Sequence, residues 1–65
     1  MYKIFRYATP MVHVIDYATV QEVFDWFTAR QNNGSGDGDQ HLVTDPNARV
    51  VIVEVGDTGR YGYFP

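Results

Sequence analysis

The sequence predicts an α+β fold, with one helix packed on one face of an antiparallel sheet of four to five strands. Segments rich in β-branched and aromatic residues lie near both ends of the chain, separated by short turns. One amphipathic helical segment lies between them, which gives the element order ββαβββ. Sixty-five residues suffice for a single domain over residues 1–65.

The first two predicted strands form a hairpin. Tyr2–Tyr7 is rich in strand-forming residues, and Met11–Ile15 resumes the same composition. Pro10 lacks a backbone donor and forces Thr9 into an extended or turn conformation, so it ends the first strand. Because the connection is short, we expect the two strands to pair antiparallel.

A capping box predicts where the helix begins. Thr19 and Glu22 have the spacing at which each side chain accepts a hydrogen bond from the other residue's amide. The residues that follow place apolar side chains on one stripe of a helix, and Asn32-Asn33-Gly34 provides its end. The stripe consists of Val20, Val23, Phe24 and Phe27.

The segment Asn32–Gln40 has no apolar side chain, and it predicts an exposed, flexible loop. His41–Thr44 is predicted as a short strand and Asp45-Pro46-Asn47 as a turn. Two further strands are predicted at Arg49–Val55 and Arg60–Phe64.

The four consecutive β-branched residues Val50–Val53 predict a central strand that is buried on both faces. One helix covers only one face of a sheet. The other face must be covered by aromatic side chains, by a partner subunit or by the target, and on this argument we expect a homodimer.

Composition argues against catalysis and against a cofactor. The chain has no cysteine, and neither histidine, His13 or His41, has neighbours at metal-ligand spacing. Ser35 is the only serine, so nothing resembles a nucleophile beside a base. The segment Asp37-Gly38-Asp39 fails the calcium-loop pattern. We expect no enzyme, no cofactor and no metal.

The apolar runs are far shorter than a membrane span or a signal peptide, so we expect no membrane partner and a cytoplasmic location.

The middle of the chain is acidic. Six of the eight acidic residues fall within residues 16–45, against one cation, Arg30. Glu22 and Asp25 share a helix face. Trp26 flanks the apolar stripe, and a half-exposed Trp beside Arg30 and these acids is typical of an interface anchor and also of the edge of a core. Such a surface can steer toward a basic protein, although the same acids can also serve the helix dipole and solubility. The predicted protein contacts are Asp16, Glu22, Asp25, Trp26, Asp37 and Asp39.

Nucleic-acid binding is the alternative. The terminal strands, Tyr2–Tyr7 and Arg60–Phe64, mix aromatic rings with cations, and a sheet face of this kind can stack bases. The net charge of −3 argues against it, because neutralising phosphates drives such binding.

The chain resembles the small inhibitor proteins encoded by phages and mobile elements, anti-CRISPR proteins among them. The resemblance covers most of the chain. It rests on size, acidity, the absence of cysteine and the order of a strand, the IDYATVQEV helix start and a β-hairpin. It implies a non-catalytic protein that binds and blocks a host protein complex, and it assigns no functional residue.

Overall fold

The computed structural model describes residues 1–33, 39–55 and 59–64. It confirms the α+β fold, with one antiparallel five-stranded sheet and one helix. The elements are β1 (Tyr2–Arg6), β2 (Val12–Tyr17), α1 (Val20–Asn32), β3 (His41–Thr44), β4 (Val50–Glu54) and β5 (Tyr61–Tyr63).

The strands lie in the order β2-β1-β3-β4-β5, and every neighbouring pair is antiparallel. The first hairpin, β1 with β2, is as predicted from the sequence. β3 is the central strand, so the helical connection returns the chain to the free edge of β1. This order puts the two terminal strands, β1 and β5, on opposite sides of β3 and β4.

The core lies between α1 and one face of the sheet, which we call the covered face. Ile4, Val43 and Ile52 are Cα partners across three adjacent strands, and all three are fully buried. Val23 and Phe27 from α1 are fully buried against them. Burying a side chain of this size stabilises a fold by about 1.5–3 kcal/mol.

The capping box predicted at the start of α1 is present. The Glu22 amide donates to Thr19 Oγ1 at 3.3 Å, and the Thr19 amide donates to Glu22 Oε1 at 3.1 Å. These two bonds satisfy two amide donors at the helix start that have no partner within the helix. At the other end of α1, the amide of Asn33 donates to the Ala29 carbonyl at 3.0 Å.

Val50–Val53 lies in an interior strand, β4, which pairs with both β3 and β5, but the prediction that it is buried on both faces is wrong. β4 lies next to the edge strand β5, and Val50 and Val53 remain 49% and 39% exposed. Only Val51 and Ile52 are buried. The physical reason is that the one helix covers one face, and within the described residues no element covers the other.

The second face of the sheet, which we call the open face, carries its own apolar row. Phe5, Leu42 and Val53 are Cα partners across β1, β3 and β4, and they alternate with the buried row. In the next row, Lys3 and Asp16 are Cα partners. Single exposed apolar residues are ordinary, but a contiguous row of them is typical of a contact surface.

The predicted loop at Asn32–Gln40 overlaps the helix, because Asn32 is still helical. Residues 34–38 lie outside the described part of the chain. Gln40 is exposed, and its carbonyl accepts a 2.7 Å hydrogen bond from the amide of Tyr7. This bond extends the pairing of β1 with β3 beyond the ends of both strands.

Candidate functional site

An open groove of about 350 Å³ lies between the end of β2 and the outer side of α1. We call it the acidic groove. It is lined by Tyr17, Glu22, Asp25, Trp26 and Ala29. Glu22 and Asp25 are exposed, whereas Tyr17 and Trp26 are half-buried. The groove therefore combines two carboxylates with two aromatic rings.

Both carboxylates of the groove are held in position by neighbours on the helix. Glu22 Oε1 accepts from the Thr19 amide at 3.1 Å and from Thr19 Oγ1 at 3.0 Å. Asp25 Oδ1 accepts from Gln21 Nε2 at 3.0 Å. Because these bonds restrict the side chains beforehand, less conformational entropy is lost when a ligand binds them.

The indole of Trp26 is fixed from several sides. It meets the rings of Phe27 and His41 edge-to-face, each at a centroid distance of 5.0 Å. The guanidinium carbon of Arg30 lies 5.3 Å from the indole centroid, within cation–π range. Trp26 thus joins the groove to the core.

Behind Trp26 lies a buried polar cluster. Glu54 and His41 are 3% and 5% exposed, and His41 Nδ1 lies 2.9 Å from Glu54 Oε1. Arg30 Nε donates to Glu54 Oε2 at 3.0 Å, so this carboxylate bridges α1 and β3. Burying a carboxylate is costly unless it is paired in this way.

Sequence reasoning missed this cluster. The available signal was the strand alternation, in which Glu54 falls two residues after Ile52 and therefore on the same face. His41 occupies the matching position two residues before Val43. Nothing in the spacing revealed that Arg30, 24 residues from Glu54 in the sequence, would reach the same point.

The remaining predicted contacts are not brought into the groove. Asp16 is the Cα partner of Lys3 on the open face, and its Oδ1 lies 2.6 Å from His13 Nε2. Asp39 is half-buried just before β3. Asp37 lies outside the described residues. The structure therefore assembles Glu22, Asp25 and Trp26 and places Asp16 elsewhere.

The terminal-strand aromatics do not form one continuous face either. Tyr61 stacks on Phe24 and Phe27, with centroid distances of 5.9 and 4.6 Å. Phe5 instead meets His13 edge-to-face on the open face, at 5.6 Å. The rings predicted to stack bases are thus divided between the two faces of the sheet.

A second hydrogen-bonded unit forms the turn between β3 and β4. Asp45 Oδ1 accepts from the amides of Asn47 and Arg49, both at 2.9 Å. Asp45 Oδ2 receives the Arg49 guanidinium, with Nη2 at 3.2 Å. The Arg49 amide, together with the Asn47 amide and the guanidinium, lowers the pKa of Asp45 below its ordinary value despite partial desolvation.

The described residues contain no group of three side chains suited to hold a metal ion. In the same part of the chain, no helix has the length and hydropathy of a membrane span. Comparisons with protein-family models, with curated proteins and with solved structures returned no match.

Proposed function

We propose that this protein is a non-catalytic interaction module that binds a basic segment of a partner protein through the acidic groove. One observation carries the proposal: Glu22 and Asp25 line the same groove as the rings of Tyr17 and Trp26. A lysine or arginine side chain of the partner could contact the two carboxylates with its charge and the two rings with its methylene stem.

The chemistry of the groove suits a cation with an apolar stem. Carboxylates accept charge-assisted hydrogen bonds from ammonium or guanidinium groups. Aromatic rings contact the methylene stem and attract the charge through their faces. The net charge of −3 adds attraction at longer range, which raises the association rate with a basic surface.

The biological form that we propose is an inhibitor of the phage type, acting in the cytoplasm of a host cell. The resemblance to anti-CRISPR proteins implies this role. It rests on the small size, the absence of cysteine, the acidity and the order of elements. Binding alone would suffice, since an inhibitor of this type acts by occupying a surface of the host complex.

We also propose that the open face packs against a second copy of the chain. Val53 is 39% exposed, and it forms a row with the half-buried Phe5 and Leu42. In a two-fold dimer this row would meet itself, as isologous interfaces require. The acidic groove lies beside α1, on the other side of the sheet, and would remain accessible.

The experiment is a tagged pull-down from host-cell lysate, with and without nuclease, followed by titration of the captured partner. The test variant is Glu22→Gln/Asp25→Asn, because glutamine preserves the capping box while both charges are lost. The matched control is Asp16→Asn/Asp39→Asn, which removes the same charge from predicted contacts outside the groove. Circular dichroism establishes that both variants remain folded.

We expect one protein partner that survives nuclease treatment. The groove variant should weaken its binding at least tenfold, with the loss greatest at low salt, and the control should bind nearly as well as the native protein. Equal effects of the two variants would exclude the groove as the binding site. A set of partners that disappears with nuclease would instead favour nucleic-acid binding.

A further inference from the structure

We propose that a second cavity, at the end of the sheet that holds the β3–β4 turn, binds a nucleotide through its base and its phosphate. The cavity has a volume of about 450 Å³, within the range of small-ligand sites. We call it the terminal groove. Its walls include Tyr2, Arg49, Val50, Tyr63 and Phe64. This inference does not depend on the acidic groove.

The terminal groove collects aromatic rings from both ends of the chain. Tyr2 begins β1, Tyr63 ends β5, and Phe64 follows directly. Tyr63 is the Cα partner of Ile52 on the covered face, where its ring meets Phe24 edge-to-face at 5.3 Å, and the ring of Phe64 lies over Gly62 on the open face. The two residues are 43% and 55% exposed, so each keeps surface for a ligand at this end of the sheet. Ring stacking on a base is worth about 1–3 kcal/mol and tolerates any base, because every base has a π-face.

Phe64 is held in place although it lies outside β5. Its amide donates to the Val51 carbonyl at 2.6 Å. Its ring lies over Gly62, with Cζ 3.6 Å from the position that a Cβ would occupy there. The Phe64 ring therefore lies at van der Waals distance from position 62.

The cationic element of the groove is Arg49, whose side chain is 74% exposed. Its Nε and Nη2 both contact Asp45 Oδ2, at 3.3 and 3.2 Å. These contacts occupy one edge of the planar guanidinium and leave its other N–H groups available to a further acceptor. Arg49 is therefore oriented in advance, and phosphate is the anion whose geometry a guanidinium matches well.

Asp45 does not oppose a phosphate at this position. Its side chain is 10% exposed, one carboxylate oxygen accepts two backbone amides, and the other receives the guanidinium. Its charge is compensated from within the turn. Stacking rings beside an oriented guanidinium fit a ligand that is both planar and anionic, and a nucleotide has both properties.

The test is amide chemical-shift mapping of the isotope-labelled protein with adenosine 5′-monophosphate, adenosine, inorganic phosphate and a single-stranded oligothymidylate. The charge variant is Arg49→Gln, and its control is Arg6→Gln, which removes the same charge at the opposite end of β1. Phe64→Leu tests the aromatic wall at an exposed position. Amide spectra of the unliganded variants show whether each remains folded.

We expect the monophosphate to shift the amides of Arg49, Tyr63 and Phe64, and to bind more tightly than adenosine or phosphate alone. Arg49→Gln should raise its Kd about tenfold, as loss of a charge-assisted contact does, and Arg6→Gln less than about twofold. Tighter binding of the oligothymidylate at the same residues would identify single-stranded nucleic acid as the source of the ligand. Tighter binding of the monophosphate would identify free nucleotide.

Two results would overturn the proposal. One is the absence of shifts in the terminal groove with millimolar monophosphate and with the oligothymidylate. The other is an equal loss of affinity in Arg49→Gln and Arg6→Gln, which would mean that the change in net charge alone explains the weaker binding. Loss of protein binding by the acidic-groove variant is a separate result, because that variant changes no residue of the terminal groove.

Discussion

The two faces of the sheet carry similar apolar residues, but α1 covers only one of them. On the covered face, Ile4, Val43 and Ile52 are fully buried under α1. On the open face, the adjacent positions Phe5 and Leu42 are half-buried, and Val53 is 39% exposed. Burial in this protein is therefore decided by which face the helix covers, and not by the hydropathy of a strand.

The faces also differ in how they hold charge. On the covered face, the buried carboxylate of Glu54 has hydrogen-bond contacts with both Arg30 and His41. On the open face, the pair of His13 and Asp16 is partly exposed, with side-chain exposures of 50% and 35%. An exposed pair is screened by water and contributes little, whereas breaking a buried pair is strongly destabilising.

The largest effect is expected for Glu54→Gln on the covered face. The substitution removes the negative charge opposite Arg30, so the free energy of unfolding should fall by about 3–5 kcal/mol. A chain of 65 residues has roughly 3–10 kcal/mol in total, so the loss is a large fraction of the stability of the fold. Urea denaturation followed by circular dichroism measures the change.

The double variant Arg30→Met/Glu54→Gln separates the charge from the packing. Glutamine can still hydrogen-bond His41, and the guanidinium of Arg30 is no longer left without its carboxylate, so we expect the double variant to recover much of the lost stability. If the double variant is as unstable as Glu54→Gln alone, pairing with Arg30 is not what makes the carboxylate necessary.

The next largest difference is expected between substitutions of two neighbouring residues in β4, Ile52 and Val53. Ile52→Ala should cost about 2–5 kcal/mol, because it leaves a cavity beneath α1. Val53→Ala should cost less than about 1 kcal/mol in dilute solution, because its side chain already contacts water. Denaturation of both variants under identical conditions gives the difference between the two faces directly.

The same pair of variants tests whether a second copy covers the open face. In a dimer, unfolding of the native protein depends on protein concentration, and Val53→Ala should reduce that dependence. Light scattering should then show a smaller mass for Val53→Ala than for the native protein. A single monomeric mass for both, at every concentration, would mean that the open face has no second copy on it.

The smallest effect is expected at the β3–β4 turn, which lies at the end of both faces. The pKa of Asp45 is lower in the folded protein than its ordinary value of 3.8, chiefly because the Arg49 amide donates to it. Its contribution to stability is therefore complete above the unfolded pKa and is lost as the pH falls through the lower folded value.

Asp45→Asn provides the measurement of this contribution. The difference in unfolding free energy between the native protein and Asp45→Asn should shrink as the pH is lowered from about 5 toward 2. Asparagine retains a side-chain acceptor for the backbone amides, so the turn itself should form. A difference that stays constant over that range would show that the carboxylate charge plays no part.

Much of the local structure was predictable from the sequence, because it depends on neighbours along the chain. The helix start follows from Thr19 and Glu22, which hydrogen-bond across three residues. The first hairpin follows from two strand-forming segments around Pro10, and the turn at Asp45 from its Asp-Pro-Asn composition. The confirmed fold class required only these elements and their order.

The candidate sites were less predictable. Glu22, Asp25 and Trp26 fall together because they share a helix, which spacing alone indicates. Tyr17 joins them because β2 ends beside α1, a contact that depends on packing. The terminal groove is entirely tertiary, since it brings Tyr2 and Phe64 together from opposite ends of the sequence.

The sequence by itself determined the elements, their order and the helix cap, since these arise from backbone preference and contacts over a few residues. Only the tertiary structure decided the strand order, the exposure of Val53 and the partners of Glu54. Those features depend on which face α1 covers, and on contacts such as that of Arg30 with Glu54, which join positions 24 residues apart. Periodicity shows that a strand has two faces, but packing determines which of them is buried.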